Sequence, residues 1–87
     1  MFMQKFLRLT TGDYLIAHGF DEQNREIIEE VTVEKPVVKL VALDRIQSIS
    51  ERYILVTSHG GRMMYWEYEE DFEELTGILR SHGLLIN

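Results

Sequence analysis

The sequence predicts a mainly β fold: a small five-stranded open barrel closed off by one short C-terminal helix. Three observations carry that expectation. Short apolar, strand-like runs recur along the chain with turn residues between them, the pattern of small barrels and sandwiches. Near the end the pattern changes, and Phe72, Leu75, Ile78 and Leu79 stand at helical spacing. The 87 residues show no repeat, no low-complexity stretch and no linker, so residues 1–87 read as one domain.

The elements follow in order. A first strand near Phe6 to Leu9 is closed by a turn at Thr11-Gly12-Asp13. A second runs from Tyr14 to Phe20, and Asp21-Glu22-Gln23-Asn24 is a cluster of turn formers. The third begins near Arg25 and places Ile27, Val31 and Val33 on one face against Glu30, Thr32 and Glu34 on the other, the period of a half-buried strand. Pro36 cannot donate to a ladder and marks a bend or an edge. Val37 to Leu43 resumes as a strand. Asp44 to Arg52 reads either as a turn or as a short helical segment. Tyr53 to Tyr68 is a hairpin with His59-Gly60-Gly61-Arg62 at its tip. The helix spans about 71–82: Asp71 is a candidate N-cap, Glu74 completes a capping box, and Gly83 is a stop. Strands of this number and length suit a strongly bent, partly open barrel of the SH3-like or oligonucleotide-binding kind.

Composition narrows the function classes. There is no cysteine, which removes disulfides and cysteine-ligated zinc. No apolar run reaches the ~18 residues of a spanning helix, and the N-terminus lacks a signal-peptide pattern. A cytoplasmic protein with no membrane partner is the expectation. The net charge is −6, and the segment from Glu67 to Glu74 alone holds six acids and no base. The remaining residues are electrically balanced, which argues against phosphate binding by the whole surface but leaves room for a local site. The acidic run reads first as a solvated helix start. No HExxH, GxSxG, calcium loop or Gly-rich phosphate loop is present, so neither catalysis nor a cofactor or metal is expected.

The hairpin is apolar on both faces. Ile54, Val56, Met64, Trp66 and Tyr68 supply one, and Tyr53, Leu55, Met63 and Tyr65 the other. A domain this small buries only about 60–65% of its unfolded surface and often needs a staple. No proline or lysine guards these strands as an edge. The hairpin therefore reads as an assembly element, with Ile54, Val56, Met63, Met64, Tyr65 and Trp66 as candidate interface residues between copies. The competing reading is that the helix covers the second face. His18 reads as a core or interface residue, and His82 as a helix C-terminal charge.

The stretch from Leu9 to Asn24 and the Ser58–Arg62 tip resemble the Sm/LSm family, and in particular the divergent small Sm-like proteins encoded by marine phages. Gly12, Ala17, Phe20-Asp21 and Asn24 resemble the family's first motif, and His59-Gly60-Gly61-Arg62 is loosely similar to its second. Here the arginine follows the glycines, the first spacing is shorter, and the helix is C-terminal rather than N-terminal. The resemblance implies a homo-oligomeric ring that binds single-stranded RNA, or DNA, around a pore. Phe20 or a histidine would stack a base, Asn24 would bond a base edge, and Arg62 would hold a phosphate or a base edge. Asp21, Arg25, His59, Gly60 and Gly61 complete the candidate loops. The same residues also suit ordinary turns. A second function class therefore stays open: a small barrel that binds another protein and no nucleic acid.

Overall fold

The computed structural model describes residues 4–87, the His59 side chain excepted. The order is β1 (Phe6–Phe20), β2 (Glu26–Val31), β3 (Val37–Ala42), a 3-10 turn at Leu43–Arg45, β4 (Ile46–Ile49), β5 (Tyr53–Thr57), a second 3-10 turn at His59–Gly61, β6 (Met63–Tyr68) and α1 (Phe72–Ser81). The described residues are mainly β, as expected, with an α-helix at the C-terminal end. Among the described residues the strands number six, not five, and form one antiparallel sheet in the order β2-β1-β6-β5-β4, with β3 also on β1. The sheet is not closed.

The turn expected at Thr11-Gly12-Asp13 is instead a bulge inside one long strand. Thr11 pairs with Tyr68 and Tyr14 with Trp66, so Gly12 and Asp13 together oppose Glu67. Two residues against one is the definition of a bulge, and glycine tolerates the kink. The extra residue flips the strand's phase. Before it, the odd residues Leu7, Leu9 and Thr11 are buried. After it, the even residues Tyr14 and Ile16 sit in line with Trp66 and Met64.

On its other side β1 meets β2 and β3 end to end. Tyr14 pairs with Val31 and Thr11 with Val37, so the five residues 32–36 span the gap that Gly12 and Asp13 span on β1. This strap contains Pro36, which could not have continued the ladder. The Asp13 carboxylate accepts the Val33 N–H at 3.0 Å and holds the strap to β1.

The core is Leu7, Leu9, Ile54, Val56, Tyr68 and Leu75. Leu75 comes from α1, so the helix packs on the same face as Ile54 and Val56. Asp71 caps that helix by accepting the Glu74 N–H at 3.2 Å, and Gly83 ends it at φ +72°. Glu70 ties the helix approach to β1. Its carboxylate accepts the Thr10 N–H at 2.8 and 3.0 Å and the Thr10 hydroxyl at 2.9 Å. The Tyr68 hydroxyl donates to the Ser50 carbonyl; burial first, then the nearby Asp71, Glu51 and Glu70, push its pKa up. No helix among the described residues is long and apolar enough to cross a membrane.

Candidate nucleic-acid interface

The register of β1 decides which loops meet. Ile16 pairs with Met64 at the start of β6, and Ala17 pairs with Ile28 on β2. The turn that joins β1 to β2 and the tip that joins β5 to β6 therefore lie at the same end of the sheet. The first reaches farther, because β1 continues to Phe20.

Phe20 is 64% exposed. It stands beyond a register shift after Ala17, where Gly19 takes a φ of +96°. The residues after it are engaged by their own turn. The Asp21 carboxylate accepts from the Gln23 and Arg25 N–H groups, both at 2.9 Å, and from Arg25 Nε at 3.2 Å. The Arg25 backbone bond is the main cause that holds the Asp21 pKa below its ordinary value. Asn24 takes the left-handed φ of +62° that turns allow asparagine. Asp21, Asn24 and Arg25 are thus accounted for by local structure, and Arg25 reaches any ligand only at the expense of its ion pair.

The second tip is a turn with the Ser58 N–H donating to the Arg62 carbonyl at 2.7 Å and the Gly61 N–H to the Ser58 carbonyl at 3.1 Å. Gly60 and Gly61 have φ of +83° and +79°, which explains both glycines. Arg62 is exposed. The His59 side chain, the remaining candidate there, lies outside the described atoms. Beside this tip is an open polar groove of about 370 Å³, lined by Asp44, Arg45, Gln47, Thr57, Ser58 and Gly60. Arg45 and Gln47 belong to the segment for which the sequence allows a turn or a helix; it forms a 3-10 turn followed by β4. The groove is fenced by charge of both signs.

The hairpin's six candidate interface residues divide. Ile54 and Val56 lie in the core, with Met64 and Trp66 packed against it. Met63 and Tyr65 lie on the outer face, where Tyr65 meets Tyr53 edge-on at 6.2 Å. The expectation that this hairpin is an unguarded edge is corrected by the topology: β6 pairs with β1 and β5, and β5 with β6 and β4. The helix covers only the Ile54 face. Trp66 is engaged within the chain, stacked on Tyr14 at 4.1 Å with the Lys39 ammonium 3.4 Å from a ring centroid. Burial lowers the Lys39 pKa. His18 is not in the core; it is exposed and bonds Glu29 at 2.7 Å. Among the described residues no group of three or more His, Cys, Asp or Glu side chains converges as a metal site.

Comparison with known proteins adds no relative: no family model, no curated protein and no solved structure matches the chain.

Proposed function

We propose that the chain is a self-associating, Sm-like binding module without catalytic activity, which takes single-stranded nucleic acid at the end of the sheet where the two tips meet. The observation that carries this reading is the shared position of Phe20 and Arg62 at that end. The exposed Phe20 ring offers a face on which a base can stack, and Arg62 and Arg45 offer guanidinium groups for phosphates. Unpaired strands are read by this combination of stacking and edge contacts. Gln47 and Ser58 add polar groups for base edges. Assembly multiplies a site that is weak in one copy.

The test is a titration of labelled homopolymer RNA followed by fluorescence anisotropy at several salt concentrations. Phe20→Ala is expected to cost about 1–3 kcal/mol of binding per stacked base. Arg62→Ala is expected to flatten the salt dependence by about 0.7 in log–log slope for each phosphate that is no longer neutralised. RNA affinity unchanged in both variants would sink the site. A specific observation favours a second reading, in which the partner is a protein: the large apolar side chains exposed along β2 and β3 of a chain with net charge −6. Absence of any RNA or DNA binding by the wild-type protein selects that reading.

A further inference from the structure

The strands left unpaired are not those of the hairpin. β2 and β3 lie end to end along one side of β1, since β6 occupies the other. Among the described residues neither has a partner on its outer side. Both carry exposed apolar side chains, including Ile28, Val38 and Leu40, the last 66% exposed. Their charges are segregated. β2 holds Glu26, Glu29 and Glu30 and no base; β3 holds Lys39 and no acid.

We propose that this edge pairs with the same edge of a second copy, across a two-fold axis at the strap, so that β2 of each copy lies antiparallel on β3 of the other. Two identical edges meeting in this way place residue i opposite residue j, and j opposite i. A dyad midway along the strap, at Glu34, sets Ile28 opposite Leu40 and Glu29 opposite Lys39. The faces agree. Ile28 pairs with Ala17 and Leu40 with Arg8, both on the outer face; Glu29 pairs with Ile16 and Lys39 with Leu9, both on the inner face. The spacing agrees as well, because Ala17 and Arg8 are equally far along β1 from the middle of Gly12-Asp13. Moving the dyad by one residue either way keeps the faces but sets Lys39 against Ile27 or Val31 and loses the charge pair. Contacts of β2 with β2, or of β3 with β3, would oppose like charges, which is destabilising. Among the strand-on-strand registers, charge and apolar pattern select this one, which also brings the two Glu34 of the bent strap together on the axis and draws Glu29 from His18 and Lys39 from Trp66. The pairing covers an edge that otherwise stays open. It gives the self-association of the proposed function a surface, at a site separate from Phe20 and Arg62.

The test is the solution mass of the full chain by light scattering after size exclusion, over a range of concentrations. The expected result is a dimer, twice the 10.3 kDa of the chain. Leu40→Asp is expected to give a monomer with an unchanged circular dichroism spectrum. Lys39→Glu and Glu29→Lys are each expected to weaken dimerisation by roughly tenfold, the scale of a broken close charge pair, and the two combined in one chain are expected to restore it. A wild-type monomer, a larger closed oligomer (in which β4 of one copy meets this edge on the next), a dimer that survives Leu40→Asp, or a double variant no tighter than the single ones would each overturn the proposal. None of these results touches the nucleic-acid site, which is read by the Phe20 and Arg62 variants alone.

Discussion

The two halves of β1 are partnered differently. Its first half, Phe6 to Thr11, has β3 on one side and α1 packed over the buried Leu7 and Leu9. Its second half, Tyr14 to Phe20, has β2 and β6 beside it but contributes nothing to the fully buried core. The Gly12-Asp13 bulge divides them. Stability and the proposed binding site are thus separated along one strand: the covered half supplies the core, and the open half carries the exposed Phe20 ring.

The sharpest test of that division compares two aliphatic truncations. Ile54→Ala removes a fully buried side chain and is expected to cost about 2–5 kcal/mol, the range for large-to-small core changes. Ile28→Ala, at the open edge beside the second half, is expected to shift the stability of the isolated chain by no more than about 0.5 kcal/mol. Urea denaturation at protein concentrations where the chain is monomeric measures both. Equal costs would break the comparison.

A second prediction concerns Glu70, which ties the helix approach to the first half of β1. Burial alone would raise its pKa, but the N–H and hydroxyl of Thr10 outweigh that and hold it below the ordinary 4.5. A carboxylate with a lowered folded pKa adds stability above its unfolded value and loses it as pH falls through the folded one. Glu70→Gln is expected to cost about 1–2 kcal/mol near neutrality, the difference between bonds to a charged acceptor and to a neutral one. The gap between wild type and variant should close as pH falls from 4.5 through the lower folded value. A gap that stays constant over that range would remove the charge from the account.

Much of this arrangement was legible in the sequence. The helix and its Asp71 cap follow from local spacing, and the two hairpin faces follow from strict alternation between Tyr53 and Tyr68. Two things were not legible, for physical reasons. A turn and a bulge both recruit glycine and aspartate, so Gly12-Asp13 alone does not tell a reversal from a phase flip; only the shared partner β6 does. An edge is a property of strand order. The hairpin has no guarding residue because it is central in the strand order. At the candidate interface, Phe20 and Arg62 were visible as tip residues. Arg45 and Gln47 were not, since they reach the tip only through the 3-10 turn that folds β4 back.

The smallest expected effect probes the helix that makes the covered half what it is. Gly77 sits inside α1, and a Cβ added there meets nothing within 4 Å. Its backbone is helical, so alanine gains propensity and narrows the unfolded ensemble at no steric cost. Gly77→Ala is therefore expected to stabilise the protein by about 0.5–1 kcal/mol. The gain should be local in a way that hydrogen exchange resolves. Amides of α1 and of the first half of β1, which Leu75 holds against the core, should slow. Amides of β2, beyond the bulge and beyond the helix, should exchange as before if they open locally rather than with the whole domain. Equal slowing of β2 would mean that the two halves unfold as one unit and that the bulge divides them in geometry alone.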